Sequence, residues 1–190
     1  MINYYYCTVN FLKKIQEQIG FVLLGRKIKK TVREREVHNF KTAKLIGVVF
    51  NATEQKNYEK IRKFLSFLSD KKIRVIALGF IDNKNALNFY SYQTGVNFFS
   101  HKNLNWFRQP KCEAVNNFID LKFDILIDFT LDKWFPIQYI IGLSKAKFKV
   151  GKLMDNDSNY DMMIDISKND SIDYLMQQST HYLSIINEVK

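Results

Sequence analysis

Five polar residues follow predicted strands at the positions where a parallel sheet commonly binds small molecules. Asn51 and Thr53 come after the first apolar run, Asp82 after the second, and Asp128 and Thr130 at the end of the clearest one. Ligands of open parallel sheets bind beyond the carboxyl ends of the strands. The pattern therefore predicts a binding edge, and a nucleotide or sugar nucleotide is the ligand class considered for it.

Asp128 is the sharpest candidate at this edge. It lies within the apolar run Ile125-Leu-Ile-Asp-Phe129, where burying a charge costs free energy unless the charge has partners. The alternative is a carboxylate that caps an element or tethers a loop. Both interpretations stay open at this point.

A second set of residues would contact phosphates. Residues 1–44 hold ten basic and three acidic side chains, so this segment carries +7 of the formal net charge of +10. Clustered Lys and Arg bind polyanions through counterion release, and a basic helix with an apolar stripe also suits an anionic leaflet. A helix docked on its own body is the third interpretation. The predicted contacts in this segment are Lys13, Lys14, Arg26, Lys27, Lys29, Lys30, Arg33 and Arg35.

Two further predicted phosphate contacts, Lys147 and Lys149, lie in the segment 144–152. In this segment Lys145, Lys147 and Lys149 alternate with apolar residues. In a strand, alternation places the lysines on one face and the apolar side chains on the other. Lysines on an edge strand also prevent edge-to-edge pairing, which is the alternative interpretation.

Catalytic and cofactor motifs are missing. Gly20 and Gly25 have phosphate-loop spacing, but Arg26-Lys27 follows them in place of Lys-Ser/Thr. No GxGxxG fingerprint follows the first strands, and the three histidines share no metal-ligand spacing. The acidic loop 155–161 lacks the glycine and final glutamate of a calcium loop. We therefore expect no cofactor and no metal, and no enzymatic activity is assigned.

Short apolar strands alternating with amphipathic helices predict the fold. Such alternation is typical of a parallel sheet covered on both faces. We expect a three-layer, Rossmann-like α/β domain over 45–190, with a mainly parallel sheet of five or six strands. A basic helical arm, 1–44, precedes it. The apolar stripe of that arm is Phe11, Ile15, Ile19 and Val22, spaced as on one helix face. An Asn51–Glu54 capping box should start the first body helix.

The composition favours a cytoplasmic protein. No apolar stretch approaches the ~20 residues that cross a bilayer, and the N-terminal sequence lacks the features of a secretory signal. Two cysteines without CxxC spacing do not form a disulfide framework.

Two family resemblances bear on the fold. Phe123-Asp-Ile-Leu-Ile-Asp128 and Leu143-Ser-Lys-Ala-Lys-Phe-Lys-Val-Gly151 resemble the end of the first domain of heptosyltransferase-type glycosyltransferases. That resemblance implies the fold, since those enzymes bind the sugar nucleotide in a second domain that this chain is too short to hold. Residues 40–187 are similar to a family of small uncharacterised bacterial proteins. That match is carried by Ile46–Thr53, Leu104–Phe107, Phe135–Tyr139 and Ser144–Gly151.

These observations lead to one first hypothesis and two alternatives. The first is a non-catalytic cytoplasmic adaptor whose basic arm binds structured RNA, such as the ribosome. The second is a nucleotide or sugar-nucleotide binding domain that uses the strand-end residues. The third is a peripheral protein of the inner membrane surface.

Overall fold

A computed structural model describes residues 2–82, 94–154 and 159–186, without the side chains of residues 2–11 and 13. The helices in these ranges are α1 (Ile2–Ile28), α2 (Gln55–Asp70), α3 (Glu113–Asp120), α4 (Phe135–Leu143) and α5 (Ile172–Ile185). The strands are β1 (Leu45–Asn51), β2 (Arg74–Ile81), β3 (Val96–Ser100), β4 (Ile125–Asp128), β5 (Phe148–Lys152) and β6 (Met162–Ile164). Residues 155–158 of the acidic loop lie outside the described residues.

The six strands form one sheet in the order β3-β2-β1-β4-β5-β6, and every neighbouring pair is parallel. The predicted α/β class, the parallel sheet and the preceding helix are confirmed. Strand β1 pairs with both β2 and β4, so that Val49 lies between Leu78 and Asp128. The chain order reverses at β1, and the crevice beyond β1 and β4 is the topological switch point of such a sheet.

Alternate side chains of the strands feed two cores. Ile46, Val48 and Phe50 of β1 pack into the core beneath α2 and α5, whereas Val49 packs into the core beneath α3 and α4. This alternation is the two-residue period of a strand covered on both faces. The sheet is therefore the middle of three layers.

Helix α1 lies against the outside of α4. Leu24 is 2% exposed and packs with Phe135 and Tyr139 of α4. Gly20 allows close approach, because a Cβ atom on it would lie 2.6 Å from the Phe107 carbonyl oxygen and from the Phe135 ring. The face of α1 that carries Gly20, Leu24 and Ile28 is called the docked face below.

The chain between α1 and β1 also contacts the body. Phe40 and Ala43 are buried in the core beneath α2 and α5, and the Phe40 N–H donates to the Leu183 carbonyl oxygen at 3.0 Å. The boundary between arm and domain at 44/45 stays a prediction.

Two local expectations are wrong. Glu54 is the residue that precedes α2, and no side-chain bond caps this helix end. Asn51 Oδ1 accepts instead from the Thr53 N–H at 2.9 Å, because the short polar side chain closes a turn within its own loop. Strand β5 is not an edge strand, because it pairs with β4 and β6. Protection of an edge therefore does not explain its lysines.

Candidate functional site

A cleft of about 550 Å³ lies beyond the carboxyl ends of the central strands. Three of the five predicted edge residues, Asn51, Thr53 and Asp82, line it together. Thr53 Oγ1 accepts from the Asp82 N–H at 2.9 Å, and the Asp82 carboxylate contacts His101 Nε2. The loops after β1, β2 and β3 are thus tied to one another at the wall of this cleft.

Asp128 and Thr130 do not line the cleft. Asp128 is 1% exposed, and its Oδ1 accepts from both the Thr130 N–H and the Thr130 hydroxyl at 2.8 Å. Its Oδ2 accepts from the Tyr160 hydroxyl at 2.5 Å, and Gln138 Nε2 donates to the same hydroxyl oxygen at 3.2 Å. These bonds make Asp128 a carboxylate that tethers the loop after β4 and the segment before β6.

The described residues that line this cleft carry a net negative charge. Its lining includes four carboxylates and one lysine, Lys60, which itself pairs with Asp173 at 2.5 Å. Asp170 pairs with Lys152 at 2.7 Å and Asp82 contacts His101, so the negative charge of the lining is balanced in part, but the carboxylates together still repel a phosphate group. The carboxylates are Glu54, Asp82, Asp132 and Asp170. The charge of the described lining therefore disfavours a nucleotide in this cleft.

The opposite side of α1 from its docked face presents apolar side chains to solvent. Ile19 is 37% exposed and Val22 is 59% exposed. Val22 lies two positions from both Gly20 and Leu24, about 200° around the helix. Ile15, Ile19 and Val22 therefore share one side of the helix, as their spacing predicts. That side faces away from the body.

The stripe continues into a cluster of cations. Arg26, Lys29 and Lys30 are all exposed, and within the described residues no carboxylate lies within ion-pair distance of them. The Lys29 N–H donates to the Gly25 carbonyl oxygen at 3.2 Å, so the helical path continues to Lys29. Arg26, Lys29 and Lys30 are called the basic turn below, and with Ile15, Ile19 and Val22 they form the outer face of α1.

The remaining predicted phosphate contacts differ in their exposure and in their partners within the protein. Lys14 is exposed, and the side chain of Lys13 lies outside the described set. Lys27 Nζ donates to the Tyr139 hydroxyl at 2.9 Å, which ties α1 to α4. Lys147 pairs with Glu36 at 2.6 Å, and this hydrogen bond raises the pKa of Lys147 and lowers the pKa of Glu36.

Arg33 and Arg35 differ although they are two residues apart. Arg33 binds both carboxylate oxygens of Asp161, at 2.8 and 2.6 Å, and also donates to the carbonyl oxygens of Ala146 and Lys147 at 3.0 Å. The Arg35 side chain is 70% exposed, and its Nε lies 3.9 Å from Asp161 Oδ1. Arg33 therefore fastens its segment to the body, while Arg35 keeps donors for another partner.

Lys149 is buried rather than presented at the surface. The residue is 2% exposed, and Nζ donates to the Ile141 carbonyl oxygen at 2.5 Å. Burial, reinforced by the positive charge of Arg33, lowers the pKa of Lys149 to about 7. The alternating pattern of 145–149 does not reveal this burial, which depends on the last turn of α4 covering an interior strand.

The sequence arguments missed two groups of residues. Tyr160 and Gln138 complete the Asp128 network, but Tyr160 is 32 residues from Asp128 and no local pattern marks either residue. Gly142 allows α1 to approach α4, because a Cβ atom on it would lie 2.6 Å from Ile28 Cδ1. A glycine inside an otherwise apolar helix is the signal that could have indicated this contact.

Two properties of the described part of the chain bear on its partners. None of its helices combines the length and the apolar character needed to cross a bilayer. Its His, Cys, Asp and Glu side chains form no group of three that is arranged to hold a metal ion.

Comparison with known protein families gives a match over most of the chain. The model of a family of unknown function (DUF6913) matches residues 22–186, which include the basic turn, both cores and all six strands. No curated protein and no solved structure matches the chain. The expected similarity to a family of uncharacterised proteins is confirmed, whereas the resemblance to heptosyltransferase-type glycosyltransferases stays a prediction. The matched range begins inside α1.

Proposed function

We propose that this chain, which belongs to that family of unknown function, attaches peripherally to an anionic membrane surface through the outer face of α1. One observation carries the proposal. Exposed apolar side chains lie on the same side of one helix as cations that have no carboxylate partner among the described residues, while the other side holds the helix to the body.

The two parts of the outer face act together at a lipid surface. Each Lys or Arg near an anionic leaflet contributes about 1 kcal/mol of attraction. Fully burying a Val or Ile side chain contributes about 1.5–3 kcal/mol. Ile19 and Val22 are 37% and 59% exposed in the protein alone, so lipid contact would bury further apolar surface. Neither part alone gives stable attachment, as is usual for membrane anchors that need two signals.

The docking of α1 supports this orientation. The Glu17–Arg108 ion pair at 2.9 Å and the Lys27–Tyr139 hydrogen bond at 2.9 Å lie on the body side of the helix. They restrict rotation of α1 about its axis, so that Val22 and Arg26 face outward. The body would then lie against the membrane with a defined side.

Structured RNA is the second candidate, because the cations of the basic turn have no carboxylate partners among the described residues. Three phosphate contacts predict that affinity falls about 20- to 40-fold when salt rises from about 50 to 200 mM. In an RNA complex the apolar stripe would have no role. The lipid surface therefore accounts for more of the outer face.

Vesicle co-sedimentation tests the proposal. The full chain should pellet with vesicles of phosphatidylcholine mixed with phosphatidylglycerol, and stay in the supernatant with phosphatidylcholine alone. Retention of structured RNA, measured by filter binding on the same preparation, reports the second candidate. Equal pelleting with both vesicle types, or with neither, would reject attachment to an anionic lipid surface.

A further inference from the structure

A second concave site shares no lining residue with the acidic cleft. It encloses about 530 Å³ between the chain that follows α1, the last turn of α4 and strand β5. We call it the Lys149 pocket. It is lined by Ile28, Thr31, Val32, Arg33, Arg35, Gly142, Lys149 and Asn159.

The charges around this pocket do not balance. Three cations line it, Arg33, Arg35 and Lys149, whereas the carboxylate in contact with them is that of Asp161. Arg33 holds both oxygens of that carboxylate, and one of them also accepts from the Lys149 N–H at 2.9 Å. When Lys149 is protonated, the described groups at the pocket therefore sum to two positive charges.

Lys149 is the group for which this imbalance matters most. Its ammonium group has three donors, and one of them reaches the Ile141 carbonyl oxygen. A buried charge is costly unless it is paired and hydrogen-bonded. An anion in the pocket would supply the missing charge and further acceptors.

We propose that the Lys149 pocket binds a phosphate monoester, with Lys149 and Arg35 as its direct charge partners. A monoester dianion matches the two positive charges, and its three terminal oxygens match the remaining donors of an ammonium and a guanidinium group. Ile28, Val32 and Gly142 provide apolar walls for the group that carries the phosphate. This site does not depend on membrane attachment, since a soluble monoester reaches it without a bilayer.

Isothermal titration of the full chain with glycerol 3-phosphate at low salt tests the site. Arg35→Gln removes an exposed cation without touching the core, and Lys149→Met removes the buried charge while keeping most of the volume. Each variant should weaken binding about tenfold or more, because each removes a charge-assisted hydrogen bond. Lys145→Gln is the matched control, since Lys145 pairs with Asp120 outside the pocket, and it should bind as the wild type does.

The phosphate could belong to a soluble molecule or to a lipid headgroup, and a second arm separates these sources. Vesicles containing phosphatidic acid, a monoester, are compared with phosphatidylglycerol vesicles, a diester, at matched surface charge. A preference for phosphatidic acid that Arg35→Gln abolishes assigns the lipid source, and binding of glycerol 3-phosphate without any preference for phosphatidic acid vesicles assigns the soluble one.

The proposal is overturned if glycerol 3-phosphate does not bind and phosphatidic acid vesicles bind no better than phosphatidylglycerol vesicles. It is also overturned if wild type, Arg35→Gln and Lys149→Met bind glycerol 3-phosphate equally. Neither result affects the proposed membrane function, which is read from phosphatidylglycerol vesicles and from variants of Ile19, Val22 and the basic turn.

Discussion

Ile28 of α1 lies directly over Gly142 of α4, so closely that a Cβ atom on Gly142 would be 2.6 Å from Ile28 Cδ1. Gly20 makes a similar approach further along the same pair of helices, against the Phe135 ring. These two contacts set which side of α1 faces the body. The exposure of Val22 and the basic turn follows from them.

Replacing Gly142 with Ala should therefore loosen α1. The added methyl group would meet the end of the half-buried Ile28 side chain, which can shift, so we expect a loss of about 1 kcal/mol, the lower end of the range for overpacking. Gly25→Ala is the matched control, since a Cβ atom on Gly25 would meet no atom within 4 Å, and in a helix interior this substitution should stabilise by about 0.5–1 kcal/mol. Urea denaturation measures both changes. Equal effects of the two substitutions would mean that α1 does not pack on Gly142.

The Asp128 network should behave as one buried unit. Asp128→Asn weakens the bonds to Thr130 and Tyr160, and hydrogen bonds to charged groups contribute about 1.5–3 kcal/mol each. Tyr160→Phe removes one of the same bonds, so the two losses should not add. A double-mutant cycle in urea measures the coupling. Additive losses would show that the two side chains act separately.

Lys149 should make stability depend on pH in a defined direction. Its folded-state pKa is about 7, whereas an unfolded lysine titrates near ~10.4. The unfolded chain therefore binds more protons between these values, and this group raises the free energy of unfolding as pH increases through that window. The facing charges are Arg33, Arg35 and Asp161.

Denaturant unfolding at a series of pH values checks this expectation. Lys149→Met should remove that part of the pH dependence, while Lys145→Met, at a side chain that is 43% exposed, should keep the wild-type slope. An unchanged slope in Lys149→Met would mean that Lys149 stays charged in the folded protein.

The fold could be predicted because the central strands β1, β2 and β4 are short, mostly apolar runs bounded by polar residues. The run 45–50 and the helical stripe Tyr58 to Leu68 both appear where expected, as β1 and the buried face of α2. Such patterns depend on the local sequence alone. Pro136 likewise lies in the first turn of α4, as its fixed φ favours.

The candidate sites were predictable only in part, because they depend on contacts between distant segments. Asn51, Thr53 and Asp82 meet since parallel strands end at one edge, which topology alone implies. Asp128 is withdrawn from that edge by Tyr160, which comes from another part of the chain. Lys149 is buried by α4. The stripe of α1 faces solvent because Gly20, on the other side of this helix, and Gly142 of α4 allow a closer approach. Periodicity identifies an apolar stripe on a helix, but it does not show whether the body or the solvent contacts that stripe.

Two multiple variants separate the charge of the outer face from its apolar contact. One, Arg26→Gln/Lys29→Gln/Lys30→Gln, removes the basic turn, and the other, Ile19→Gln/Val22→Gln, removes the exposed apolar side chains. The control Lys56→Gln/Lys63→Gln/Lys168→Gln removes the same charge from exposed positions elsewhere. Circular dichroism and the melting temperature check that all three variants fold as the wild type does.

The most direct measurement is the fraction of each protein that pellets with phosphatidylglycerol-containing vesicles. The account predicts that both outer-face variants lose most of their binding, because lipid attachment needs the cations and the apolar side chains together. The control should pellet as the wild type does. If Ile19→Gln/Val22→Gln binds vesicles as the wild type does, or if the wild type itself does not pellet with these vesicles, attachment of the outer face to a membrane is contradicted.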